Sequence, residues 1–267
     1  MASFVTEAIV TAARRYGEAD RLLTLLTLER GRLSAIAKSA RKPKSSLRGA
    51  TETFVRAKFQ LAEGKTLDIV RQAEVIDVHL GLREDWTRLQ LAGHVAEIAN
   101  KMCEERMPDP SLYGLLKAAL EGVSGGKMDA VARFKAGLLD HMGVFPDLSG
   151  CAKCGAGKSR GDVHLTTVHH GFLCDSCAKN MQVFHPVPMQ VLHILHALRN
   201  GDEIAVPQTD GPELLASAED ILTTLLQVFL QQGFKTTSAA RHARESSRRS
   251  DNVSEEKGDT KSGGMER

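Results

Sequence analysis

Four of the five cysteines in this 267-residue chain form two Cys-x-x-Cys knuckles, CAKC at 151–154 and CDSC at 174–177, nineteen residues apart. Nothing else in the sequence constrains the fold as tightly, because four thiols must pair, stay apart or converge on one ion. Compartment decides between these outcomes. The opening stretch MASFVTEAIVTAARR places Glu7 early and has no apolar run of the roughly 7–15 residues that a secretory signal needs. No uninterrupted apolar stretch approaches the roughly 18 residues of a membrane helix. A soluble, cytoplasmic chain is expected, and reducing conditions favour metal over disulfides.

Cys151, Cys154, Cys174 and Cys177 then offer four soft thiolates at the spacing of a zinc ribbon, each knuckle supplying two sulfurs to a tetrahedron. Gly155 and Gly157 let the backbone turn back over the ion. A redox dithiol is the competing reading, but a thioredoxin-like motif opens a helix in a βαβ context, which neither knuckle has. With sulfur at every position no site is left for water, so one structural zinc ion is expected. A zinc deaminase needs His-x-Glu and a proline before its second knuckle; Gly150 and Leu173 precede these two. His164, His169 and His170 lie between the knuckles, but four cysteines already satisfy the ion.

The hydrophobic period divides the rest. Through residues 1–77 apolar and polar positions alternate: Val55, Ala57, Phe59 and Leu61 on one side, Arg56, Lys58 and Gln60 on the other. About five strands result, at Phe4 to Ala13, Leu22 to Leu28, a return through Leu33, Ala35 and Ala37, and a hairpin turning at Glu63-Gly64-Lys65. That is the size of a small antiparallel barrel such as an OB-fold. From 78 onward the spacing becomes three and four, as in Leu89, Ala92, Val95, Ala96 and Ala99. This predicts a long helix over 78–105 and others at 109–122, 128–142, 188–199 and 212–232. The expected architecture is α+β: an OB-fold over 1–77, a helical domain over 78–235 with a zinc-binding segment at 148–180 inserted in it, and a polar, disordered tail over 236–267.

Charge sharpens the picture. Residues 1–80 hold 14 Lys/Arg against 9 Asp/Glu while the remainder is slightly acidic, so the barrel is the basic end. The excess gathers in RGRLSAIAKSARKPKSSLRG, where Arg30, Arg32, Lys38, Arg41, Lys42, Lys44 and Arg48 occur with no acidic residue between them. Such a run on a small barrel suits contact with a phosphate backbone; a solvated loop or a localisation signal is the blander reading. Aromatic residues are few: Phe59 is expected in the core, leaving Tyr16 as the best candidate for an exposed ring. Binding should be mainly electrostatic and steep in salt. No phosphate loop of the Gly-x4-Gly-Lys-[Ser/Thr] type and no carboxylate cluster is present, so no enzymatic activity is expected. Cys103 reads as a buried thiol on the long helix, Trp86 as an anchor for that helix, and His193 and His196 as packing or surface residues.

The stretch YGEADRLLTLLTLERGRLSAIAKSARKPKSSLRGATETF, residues 16–54, closely resembles the N-terminal barrel of the bacterial RecO family of DNA repair proteins. The resemblance continues through GVFPDLSGCAKCG and GFLCDSC, similar to that family's zinc-bearing segment, and covers most of 1–234. It implies an OB-fold followed by a helical domain with a structural zinc site. It also implies a recombination mediator that binds single- and double-stranded DNA, anneals complementary strands, and works with RecR and in some bacteria RecF to load RecA on DNA coated by single-strand binding protein, SSB. Lys38, Arg41, Lys42, Lys44 and Arg48 carry over as basic positions and the four cysteines as metal positions. HHGFLC departs from the family's glycine pair without touching the ligands, and the tail beyond Phe234 is an added extension. A zinc-ribbon transcription or translation factor contacting RNA or RNA polymerase is the alternative.

Overall fold

Alternating burial along the first strands sets the architecture: Ala57, Phe59 and Leu61 are fully enclosed while Lys58 between them faces solvent. A computed structural model describes residues 2–157, 163–166, 171–179, 186–204 and 210–230. Strands β1 (Ser3–Tyr16), β2 (Asp20–Thr27), β3 (Gly31–Ala37), β4 (Arg56–Ala62) and β5 (Asp68–Asp77) form a closed barrel in the order β1-β2-β3-β5-β4. β1 pairs antiparallel with both β2 and β4, and a short parallel contact of β3 with β5, Ala35 opposite Asp68 and Ile36 opposite Ile69, closes the ring. This is the OB-like barrel that the alternation predicts.

β1 is apolar on both faces for a reason. Ala8 and Val10 point into the barrel with Leu23, Leu33 and Phe59, whereas Ile9, like Leu26 of β2, joins the core of the helical region. Helices α1 (Gly81–Glu84), α2 (Trp86–Met102), α3 (Pro110–Ser124) and α4 (Ala130–His141) follow, then β6 (Asp147–Cys151), β7 (Val163–Thr166), β8 (Gly171–Cys174), α5 (Asp175–Ala178), β9 (Pro186–Val187), α6 (Met189–Asn200) and α7 (Gly211–Leu230). The small sheet, ordered β6-β8-β7-β9, is an excursion from the helices and lays Leu148, Val163 and Phe172 on their core. A buried ion pair, Lys135 Nζ to Glu219 Oε1 at 2.9 Å, ties α4 to α7. No helix among the described residues is long and apolar enough to cross a membrane.

Three expectations need correction. The helix predicted over 78–105 is two helices, because Asp85 adopts an extended backbone and its carboxylate accepts from Thr87 N at 2.7 Å, capping a fresh start. Trp86 is therefore the first residue of α2 and stands 70% exposed instead of anchoring the helix. Cys103 lies just past the helix as its C-terminal cap, buried as expected, with burial pushing its thiol pKa up. His169, His170 and the predicted tail over 236–267 lie outside the described residues.

The barrel and the helices are clamped together at the β2–β3 end. Gly31 has φ +66 and a Cβ there would sit 2.1 Å from Met107 O, so only glycine allows this approach. Beside it Arg32 Nη1 donates to Asn100 O at 3.1 Å and Thr11 Oγ1 donates to Asn100 Oδ1 at 2.8 Å. On another side Glu7 Oε1 accepts from Tyr113 Oη at 2.9 Å and from Arg56 Nη1 at 3.0 Å.

Candidate nucleic-acid interface and metal centre

The connection from β3 to β4 carries most of the basic run, and it is a folded plug. Ser39 takes φ +55, its N–H held by Asp20 Oδ1 at 2.7 Å, and successive turns follow from Lys42 N to Ser39 O through Thr51 N to Leu47 O. Ala40, Leu47 and Ala50 drop into the end of the barrel and are buried there. Apolar residues at those spacings fix the loop, and the cations around them, Lys38, Lys42, Lys44 and Arg48, are turned to solvent.

Strand pairing brings other arginines to the same end. Tyr16 faces Asp20 across the β1–β2 turn, and Arg41 N donates to Ala19 O at 2.9 Å, docking the plug on that turn. Arg14, Arg15, Arg21, Arg41 and Arg48 thus line one cleft of about 390 Å³. The only acidic group among its lining residues is Glu52, paired with Arg21; Arg21 also donates to Thr51 Oγ1 at 3.1 Å, and Arg41 Nη1 to Glu18 O at 2.8 Å. Two members are therefore fixed, while Arg14, Arg15 and Arg48 are exposed at the rim with Tyr16, half of whose surface meets solvent.

Arg30 and Arg32 do not join this cluster. They lie at the opposite end of β3, where the β2–β3 register begins at Thr27 opposite Gly31. Arg30 is stacked over the Phe4 ring at 3.9 Å and Arg32 is spent on α2. Arg14, Arg15 and Arg21, which stand outside the basic run, take their place. The signal for them is RRYGEADR, which read as a hairpin turning at Gly17 puts all three at one end. Phe59 is fully buried, as expected.

The second site is assembled from strand ends. Cys151 closes β6, and Gly155, at φ +69, turns the chain so that its N–H reaches Cys151 O at 2.8 Å; Cys174 closes β8, with Cys177 on α5. All four sulfurs lie within 4.8 Å of one another, Cys154 and Cys174 at 3.9 Å. A tetrahedral ion with metal–sulfur bonds of about 2.3 Å needs sulfurs about 3.8 Å apart, so the four cysteines can hold a metal ion. Their surroundings favour the charged form at Cys151 and Cys174 and oppose it at Cys177. Burial resists ionisation of Cys151, but N–H groups of Cys154, Cys174 and Lys153 aimed at its sulfur outweigh that and bring the thiol down to about 6. Cys174 is lowered by the Ser176 hydroxyl, 3.2 Å away, while Cys177, its thiol hydrogen-bonded to Cys174 and crowded by the other sulfurs, is pushed up to about 12. His164 stands outside the sulfur cluster, its Nε2 2.8 Å from Asp175 Oδ1. His193 and His196 are exposed on α6 and take no part in the sulfur cluster.

Comparison with known proteins divides the chain where the barrel gives way to the helices. Residues 1–79 match the family described as recombination protein O N terminal, and residues 83–237 match recombination protein O C terminal. The chain is 31% identical to the DNA repair protein RecO of Desulforamulus reducens over 243 residues, covering 89% of this chain and 93% of that one. It is 37% identical to the DNA repair protein RecO of Desulforudis audaxviator over 199 residues, covering 74% and 80%. With the DNA repair protein RecO of Myxococcus xanthus it shares 30% identity over 88% and 96% of the two chains.

Proposed function

Because the chain belongs to the RecO family of DNA repair proteins, we propose that it is a non-enzymatic, cytoplasmic recombination mediator. It binds single- and double-stranded DNA, anneals complementary strands and, with RecR, assists RecA onto single strands coated by SSB; RecF is a further candidate partner. The observation that carries this reading is the gathering of five arginines in one cleft at the plugged end of a barrel whose interior is filled. Annealing two polyanions calls for a surface that neutralises phosphates while most bases stay free to pair. Arg14, Arg15 and Arg48 at the rim, with Lys38, Lys42 and Lys44 on the plug, supply that charge; Arg21 and Arg41, tied into the fold, set its position.

Cys151, Cys154, Cys174 and Cys177 would hold one zinc ion, which supplies a cross-link between β6, β8 and α5 and no open position for chemistry. The test is annealing of complementary strands pre-coated with SSB, followed by fluorescence across a salt series. Acceleration that fades as salt rises is expected. No acceleration with SSB confirmed bound would overturn the mediator reading and favour a zinc-ribbon factor acting on RNA or RNA polymerase.

A further inference from the structure

The arginine cleft does not end at Glu52. Its wall residue Thr53 is also a wall of a second, smaller cavity of about 220 Å³, whose other lining residues are Phe54, Val78, Leu82, Arg83 and Leu89. The two cavities differ in chemistry across that one residue: cationic on the barrel side, apolar on the other, with Arg83 the only charged group. Leu82 and Phe54 belong to the helical core and Val78 packs on the barrel core, so the cavity sits in the seam between the two. At about 220 Å³ it is below the roughly 300 Å³ at which pockets for drug-sized ligands begin; one flat ring fits its scale, a whole nucleotide does not.

The seam is held in a costly conformation. Phe54 and His79 both have positive φ, +68 and +47, and are joined through Phe54 O and His79 Nδ1 at 2.7 Å. Left-handed backbone at non-glycine residues is strained and persists where surrounding structure enforces it, often around a ligand. Here the pair bends the chain after Thr53 inward, making Phe54 a cavity wall instead of a barrel residue.

We propose that this cavity receives one unstacked base of a single strand whose flanking phosphates lie on the arginine cleft. The assignment rests on the DNA-binding reading above and deepens it. Charge complementarity and the shared wall at Thr53 select the occupant: a strand seated on Arg14, Arg15 and Arg48 carries apolar rings on the same polymer that satisfies the cations. A duplex keeps its bases stacked and cannot fill the cavity, so the site distinguishes single strands from double, while a single captured base leaves its neighbours free to pair.

The test compares a thymidine oligomer of about twelve residues, within the span one such barrel covers, with an abasic oligomer of equal length and charge, using the full chain at one salt concentration. The thymidine oligomer is expected to bind about fivefold more tightly or better, the yield of one base–ring contact. Val78→Phe fills the cavity and should bring thymidine binding down to the abasic level, with abasic binding and the salt slope unchanged. Should Val78→Phe not fold, Leu89→Phe fills it from another wall. Equal affinity for the two oligomers with a normal salt slope overturns the base pocket and leaves DNA binding standing. So does a thymidine preference that survives in a folded cavity-filling variant. Binding of neither oligomer at low salt removes the DNA-binding reading itself.

Discussion

Replacing Arg14 and Arg15 with alanine should weaken DNA binding more than any change to Arg30, although Arg30 belongs to the longest basic run and the other two do not. The magnitude follows from counterion release: each neutralised phosphate of a single strand contributes about 0.7 to the slope of log affinity against log salt. Two lost contacts lower the slope by about 1.4, so a fourfold rise in salt costs the variant about sevenfold less affinity than it costs the parent. Both side chains are exposed at the cleft rim, so their loss leaves the barrel intact. Arg30 sits beyond Gly31, and the six steps of β3 to Ala37 span about 20 Å at roughly 3.3 Å per residue. That exceeds the Debye length of about 8–10 Å at moderate salt, so a phosphate held in the cleft barely senses Arg30. Fluorescence anisotropy of a labelled single strand, titrated from low to physiological salt, reads both variants. If Arg30→Ala flattens the slope as much as the double change, or the double change leaves it untouched, the cleft is not the phosphate site.

Two further outcomes test the scaffold. Cys151→Ser removes one of the four converging sulfurs and should lower the melting temperature by roughly 5–10 °C, the equivalent of a few kcal/mol in a chain of this size; calorimetry showing wild-type melting would contradict a structural ion. Glu7 is drawn up by burial, but the Tyr113 hydroxyl and the Arg56 guanidinium outweigh that and hold its carboxyl below the ordinary 4.5. A depressed folded-state value adds stability that is present above 4.5 and disappears as pH falls through the folded value, so Glu7→Gln should flatten the acid side of a melting-temperature profile. An unchanged acid limb would remove Glu7 from that linkage.

Much of the fold was legible because period is a local property. The alternation at Val55–Leu61 and the three-and-four spacing after Leu89 each report on the face a residue presents, and the faces observed agree. The convergence of the cysteines was legible for a similar reason: knuckle spacing is local, and thiols have few other uses in such an arrangement. What escaped depends on pairing at a distance. Arg21 meets Arg48 O across 27 residues of chain, and in the sequence Glu18 and Asp20 offset two of Arg14, Arg15 and Arg21. In the fold Asp20 is spent on Ser39 N and the arginines remain. Trp86 escaped because periodicity places a residue on a face but does not say where a helix begins; the Asp85 cap decides that.

The two ends of the barrel explain why the basic run had to divide. At one end Gly31 lets the chain after α2 approach, and Arg32 is consumed in binding it. A cation there serves cohesion and is lost to any ligand. At the other end the chain itself closes the barrel with Ala40, Leu47 and Ala50. Burying those apolar side chains anchors the loop that carries Lys38, Lys42, Lys44 and Arg48, so less backbone freedom remains to be lost when a strand binds. The apolar residues within the basic run therefore matter as much as its charges. A loop of the same charge without Leu47 would attract DNA equally at long range but hold it less tightly, since the ordering cost would then fall on the binding step.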